Sequence, residues 1–405
     1  MTQRFNGEKM TQIVKELGSI PRLVGSEGEI KGINYCKKLF RELDIELDEE
    51  PVTCVRGWVG WIQQLLFAAG SILVTLIMIM LIYQPWVNLI VVSVILVLVA
   101  AVSPGLMGQS GFKKIGKEYE TKNLIQTVKP KEEAEPRQYI ILSAHHDTKS
   151  QTLSTLMRGL SYIIMFTGLL VLILVVIASV ILDLIPSADI PQWMIITGVT
   201  FGIISLYGTI PLSLNFLGNK SPGAIDNASG IAVIYEVVRY LKEIGGLENS
   251  ELVIAIFGAE EVAMWGAHKF CKMHKEEFPP EKSVNINIDM IGYKDEPVEI
   301  METAGIPVRK PVSKFMTGLA KTVANEKNIK IKGFWMPMGA ATDGFVLRDV
   351  GYDGADFNVF KAALNAHHTV DSIEKWDEKI GIQNCEVISG MIEKLDIHGF
   401  SNDFA

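Results

Sequence analysis

The residues of this chain that could do chemistry fall in five separate places. His145, His146 and Asp147 follow the apolar run Gln138 to Ala144 (QYIILSA). Side chains two apart on an extended strand share a face, so His145 and Asp147 belong together and His146 points away. Glu260 and Glu261 close the run Leu252 to Gly258 (LVIAIFG) after Ala259; they could instead cap a helix starting near Met264, where negative charge is favoured by about 0.3–1 kcal/mol. Asp289 lies inside VNINIDM, where an ionised group without a partner is costly and calls for a cation. Asp226 stands in the loop SPGAIDNASG and reads by default as an N-cap. The loop NAHHTVDS brings His367, His368 and Asp371, with an ordinary turn as its plainer reading. Taken together these are two histidines and three acids, with one acid to spare. Two zinc ions about 3.5–4 Å apart require such a set, one carboxylate bridging and each ion keeping an open position for water. The four cysteines, Cys36, Cys54, Cys271 and Cys385, are widely spaced without a Cys-x-x-Cys, which excludes a thiolate site and a disulfide framework.

The elements that must position these groups read as alternating strands and helices. The runs Gln138 to Ala144, Leu252 to Gly258, Val284 to Met290 and Ala355 to Val359 predict strands. Ser229 to Gly245 carries Ile231, Ile234, Val237, Val238 and Leu241 on one helical face, and Pro311 to Glu326 and Asn384 to Ile397 look similar. An α/β fold with a central mixed, mostly parallel sheet flanked by helices follows, and in such sheets chemistry collects beyond the carboxyl ends of the strands. The charged stretch Lys129 to Arg137 (KPKEEAEPR) reads as a solvated hairpin connection.

Of 405 residues, 48% are hydrophobic and 21% charged, and the net charge is -8. Disorder and a basic nucleic-acid footprint are excluded. Residues 57 to 112 contain no charge at all. A span needs about 20 apolar residues, so this stretch predicts two, Trp61 to Tyr83 and Trp86 to Val102, turned at Gln84-Pro85. Residues 159 to 182 and 190 to 219 are uncharged again around Asp183, Pro186 and Asp189, predicting a second hairpin and four spans in all. The polar pieces 1–56, 113–158 and 220–405 then form one domain on one side of the membrane, interrupted by the hairpins 57–112 and 159–219. Arg56, Lys113, Lys114, Lys117, Lys149, Arg158 and Lys220 flank the spans on the domain side, so the domain and both termini are expected in the cytoplasm. Only residues 148 to 158 separate Asp147 from a span, at most about 35–40 Å of extended chain, so the cleft is expected near the bilayer.

With these motifs in hand, the chain resembles the co-catalytic di-zinc aminopeptidases, the family of bacterial leucyl aminopeptidase and aminopeptidase Y. PRLVGSEGE (Pro21 to Glu29), KNLIQTV (Lys122 to Val128), SAHHDT, AIDNASG, FGAEEVAMWGA, NIDMIG and AHHTVDS carry the resemblance in the family's order. It implies a zinc-exopeptidase-like domain acting on peptides. His145 and Asp289 would bind one zinc, Glu261 and His368 the other, and Asp226 would bridge them. Glu260 would be the general base, and Asp147 would hydrogen-bond to His145 and fix its tautomer. The family's His-Thr-x-x-Asp pattern is taken to imply His368, which leaves His146, His268, His274, His367 and His398 as structural or surface groups. Two departures stand out: the inserted hairpin puts 78 residues between Asp147 and Asp226, and Gly344 in ATDGFVL replaces a family histidine. The competing expectations are a glutaminyl cyclase-like zinc enzyme and a non-catalytic receptor or scaffold. Side-chain preference, oligomeric state and native metal do not follow from these residues.

Overall fold

The structure, a computed structural model, describes residues 4–83, 86, 90, 92–94, 97, 115–131, 138–185, 188–305, 309–336 and 341–400. Two compact units divide the chain. One comprises Met1–Val55, Lys117–Ser150 and Gly218–Ala405, the other Arg56–Gly116 and Gln151–Leu217.

The first unit is built on a mixed sheet. In chain order its strands are β1 (Asp48–Val55), β2 (Glu118–Val128), β3 (Gln138–His145), the two-residue β4 (Ser150–Gln151) and β5 (Leu217–Gly218) at the junctions, β6 (Ser250–Phe257), β7 (Ser283–Ile288), β8 (Val298–Ala304), β9 (Lys310–Pro311), β10 (Ile331–Met336) and β11 (Asp353–Phe357). The strands run across the sheet in the order β1-β2-β6-β3-β7-β11-β8-β10, with β9 pairing β8. The centre is parallel, β6 with β3, β3 with β7 and β7 with β11. Antiparallel pairs close the β1 side and join β11 to β8. Strands covered on both faces read as unbroken apolar runs, and β6 is buried at every position. The pleat then divides the core. Ile140, Leu142, Ala144, Ile254 and Ile256 face one way, toward the helices Gly7–Leu17, Ser229–Glu243, Lys314–Glu326 and Glu378–His398. Ile141, Val253, Ala255 and Phe257 face the other, toward Trp265–His274 and Asp343–Val350.

One expectation needs correction. Strand β6 lies between β2 and β3, so the charged stretch after Lys129 does not close a hairpin. At its start Lys131 pairs instead with the Leu247 carbonyl and the Glu248 carboxylate.

The second unit is helical. Three of its helices are long and apolar enough to cross a membrane: Trp58–Tyr83, Thr155–Asp183 and Gln192–Ser213. Ile72, Leu170, Leu174, Ile181 and Ile196 are exposed on their outer faces, while Val74, Ile77, Leu81, Leu172, Val176 and Met194 pack together within. The last two helices form an antiparallel pair held by close backbone approach: a Cβ on Gly168 would meet Ser205 N at 2.4 Å, and one on Gly208 would meet Ser161 O at 2.4 Å. Small residues at such crossings let the two backbones approach closely. Ser205 Oγ also donates across the pair to Met165 O at 3.2 Å. The predicted span Trp86 to Val102 lies largely outside the described residues, so three candidate spans stand where four were expected.

Candidate metal centre

The parallel strands β3, β6 and β7 end side by side, and the chain beyond each end delivers one group to a common point. His145 is the last residue of β3; Glu260 and Glu261 follow β6; Asp289 follows β7. Asp226 arrives from the turn Ala224–Ala228 ahead of helix Ser229–Glu243. It does not cap that helix, because Asn227 Oδ1 accepts from Gly230 N at 3.0 Å. Nor do the glutamates cap the next one, which starts at Met264 without a side-chain cap. Several non-glycine residues with positive φ flank these groups: Ala259 (59°), Met264 (55°), Met290 (52°) and His367 (62°). Each costs on the order of 1–3 kcal/mol and persists only where the surroundings impose it.

Two sets of side chains result, each with its ligand atoms mutually within 4.8 Å: His145, Asp226 and Asp289, and Asp226, Glu261 and His367. His145 Nε2 is 3.2 Å from Asp226 Oδ1 and 3.4 Å from Asp289 Oδ1. His367 Nε2 is 3.5 Å from Asp226 Oδ2 and 3.0 Å from Glu261 Oε2. Asp226 thus turns one oxygen to each set. Glu260 Oε2 lies 4.0 Å from His145 Nε2.

His367 stands where His368 was expected. The positive φ at His367 turns its ring into the cluster, whereas the His368 carbonyl accepts from Ser221 Oγ at 3.2 Å and its ring lies near the Thr369 hydroxyl. The pattern His-Thr-x-x-Asp puts the histidine four positions before the aspartate, and four before Asp371 is His367, with His368 in the place of the threonine; this offset was the missed signal. Asp371 Oδ1 and Oδ2 accept from Ile225 N (2.8 Å) and Asp226 N (3.1 Å), which ties this loop to the aspartate shared by the two sets. Burial and the nearby Asp226 push the Asp371 carboxyl up to about 7.

Asp147 also acts differently from expectation. Its main-chain carbonyl, not its carboxylate, accepts from His145 Nδ1 (3.1 Å), the carboxylate being 3.7 Å away. This contact engages Nδ1 and turns Nε2 to the cluster. The Asp147 carboxylate accepts from Glu260 N (3.1 Å) and Glu261 N (3.2 Å) and so fixes both glutamates. His146 faces away and hydrogen-bonds Lys122 O at 2.8 Å, as the strand alternation requires.

The electrostatics favour a cation. Burial pushes the Glu260 carboxyl well above its usual range, aided by Glu261, and raises Asp226 likewise. Burial opposes charge on His145, yet the carboxylates of Glu260, Asp147, Asp226 and Asp289 hold its pKa well above the usual value. Glu261 is held well below the carboxylate range despite its burial, by His367 and Lys149. Among the described residues, buried His145 Nε2 and Asp289 Oδ1 have no hydrogen-bond partner. Orphaned buried groups of this kind cost free energy unless something binds them, and nitrogen and carboxylate donors suit a divalent metal. The residues fit the group the motifs imply.

Sequence reasoning gave Arg22, Lys149 and Asp343 no role at this cluster. The fully buried Arg22 donates to the carbonyls of Leu17, Ile20, His146, Pro222 and Gly223, joining the loops that carry His145 and Asp226. Lys149 pairs with Glu261 at 2.9 Å. Asp343 is buried with neither carboxylate oxygen hydrogen-bonded among the described residues, and burial raises its pKa well above normal. Beside it, a Cβ on Gly344 would lie 2.3 Å from Asp356 Oδ1, and Asp356 is engaged by Arg348, Thr342 and Asn287. A histidine at 344 has no room here.

The pattern of Peptidase family M28 matches residues 208–391, less than half of the chain. Aminopeptidase YwaD of Bacillus subtilis (strain 168) is 28% identical over 137 residues, 34% of this chain and 29% of that relative's length. Among solved structures, an aminopeptidase from Aneurinibacillus sp. strain AM-1 superposes with a TM-score of 0.57 at 14% identity, covering 97% of this chain and 94% of the other. A glutaminyl cyclase from an Acidobacteriales bacterium gives 0.55 at 15% identity, covering 98% and 96%. At such identities the structures establish the mixed α/β fold alone. The family match and the curated relative support a peptidase of the M28 aminopeptidase type.

Proposed function

We propose that this chain is a membrane-anchored, zinc-dependent aminopeptidase. The carrying observation is the Asp226 carboxylate, one oxygen toward His145 and the other toward His367, with Glu260 beside the first set. His145, Asp226 and Asp289 would hold one zinc ion, and Asp226, Glu261 and His367 a second. Zinc bound there would polarise a peptide carbonyl and acidify water. Glu260, kept basic enough by its burial, takes a proton from the attacking water and returns it to the departing amine. Asp147 keeps Glu260 in reach by accepting from its amide, and the contact of His145 Nδ1 with the Asp147 carbonyl aims Nε2 at the cluster. The three apolar helices and the flanking Lys and Arg support anchoring in a membrane with the polar unit on the cytoplasmic side.

The second reading is cyclisation of an N-terminal glutamine by the same centre, which the fold shared with glutaminyl cyclases keeps in view. One experiment separates the two. Detergent-solubilised protein is assayed on aminoacyl and dipeptide panels that include glutaminyl peptides, after chelation and zinc repletion, alongside Glu260→Gln. Hydrolysis that vanishes on chelation, returns with zinc and falls by about 10²–10⁴ in the variant supports the aminopeptidase. Pyroglutamyl product alone supports the cyclase. A Gln variant as fast as the parent removes Glu260 from its role.

A further inference from the structure

The two sets of ligands differ in one respect. Glu261 already holds a cation: Lys149 Nζ is 2.9 Å from Glu261 Oε2 and also donates to the Glu261 carbonyl at 2.9 Å, while Lys149 N donates to Oε1 at 3.2 Å. Both carboxylate oxygens are therefore engaged, and Oε2 serves His367 as well. The pair is shielded from water, with side chains 12% and 2% exposed, so its charges are poorly screened. Lys149 cannot simply retreat, because its neighbours are pinned: Thr148 Oγ1 accepts from Arg22 N at 2.7 Å and Ser150 Oγ from Lys220 N at 2.9 Å. Among the described residues no lysine or arginine pairs with the other set: Asp226 Oδ1 and Asp289 Oδ1 lie 3.2 and 3.4 Å from His145 Nε2, and His145 Nε2 and Asp289 Oδ1 lack hydrogen-bond partners of good geometry.

We propose that Lys149 makes the metal centre unequal: it holds Glu261 as an internal cation, so the set Asp226, Glu261 and His367 fills after, and more weakly than, the set His145, Asp226 and Asp289. The inference rests on the proposed metal centre. An ion entering the second set shares Glu261 with a fixed ammonium that repels it, whereas an ion entering the first relieves unpaired buried groups. Lys149 is thus a positioning and charge-setting residue that keeps both Glu261 carboxylate oxygens engaged.

The test is metal binding, not turnover. The full chain in detergent, stripped by chelation, is titrated with Zn²⁺ against a chelating indicator, and bound zinc is counted by elemental analysis. The parent is expected to fill in two steps whose affinities differ by at least about tenfold. Lys149→Met should tighten the weak step by about tenfold or more and leave the tight step within about threefold, while Lys149→Arg keeps the split. Asp289→Asn in the parent background should lose the tight step and keep the weak one, a readout that does not depend on the Met variant folding. Identical constants in parent and Lys149→Met, or an Asp289→Asn variant that loses the weak step instead, overturns the inference and leaves the metal centre standing. A parent that binds no zinc at any concentration overturns both.

Discussion

Replacing Arg22 with methionine tests whether a single buried cation holds the loops that carry His145 and Asp226 in place. Methionine keeps much of the stem and removes five N–H···O bonds, to Leu17 (2.5 Å), Ile20 (2.8 Å), His146 (2.7 Å), Pro222 (3.0 Å) and Gly223 (3.0 Å). Burial already penalises the charge, lowering the Arg22 pKa to about 10, so part of the loss is offset when the charge goes. Breaking a buried charged network by removing one partner costs about 3–5 kcal/mol net. For a unit of this size each kcal/mol moves the melting point by about 2–4 °C, which predicts a drop of roughly 6–20 °C. Zinc affinity should fall about 10–100-fold, the usual consequence of losing a group that orients ligands, because the His146 and Gly223 carbonyls lose their common anchor. Arg22→Lys keeps the charge but not the planar fork, and should recover part of both losses. Thermal melts and chelator-competition titrations of the three proteins measure this. A methionine variant that melts within about 2 °C of the parent and binds zinc equally well would falsify the argument.

Two further outcomes follow from the geometry. His367→Ala should weaken zinc binding by at least about 100-fold, while His368→Ala stays within about threefold, measured as zinc retained at fixed free metal; the reverse result would restore His368 as the ligand. His274 has its pKa raised by a hydrogen bond to Glu50, with Glu277 adding and burial opposing. A raised histidine contributes stability that is complete below the unfolded pKa of about 6.5 and lost as pH rises through the folded value. The unfolding free energy of the parent relative to His274→Phe should therefore decline from pH 6 toward pH 8, by less than about 1 kcal/mol because Glu277 is solvent-exposed; a relative gain with rising pH contradicts the pairing.

What could be read in the sequence and what could not has a physical basis. Strands β3, β6 and β7 were visible because burial on both faces leaves unbroken apolar runs that no surface element carries. The edge strand β1, DEEPVTCV, and β10, IKGFWM, carry charge on their open faces and resemble loops. The apolar helices were visible for the opposite reason, since a long segment without charge has few other uses.

The residues expected at the site gather in space except at one position, and the differences share a cause. His145, Asp226, Glu261 and Asp289 come together as the motifs imply, yet adjacent histidines on a loop differ only in backbone φ, which composition does not record. Asp147 was placed correctly but given the wrong atom: both its carbonyl and its carboxylate lie within reach of His145 Nδ1, and the glutamate amides of a segment 113 residues away claim the carboxylate. Arg22 and Lys149 were invisible because their partners lie 201 and 112 residues away. A ligand announces itself by its chemistry and its place after a strand. A residue that sets the ligand's charge or position announces nothing until the fold brings it into contact, which is why the supporting groups, more than the ligands, required the structure.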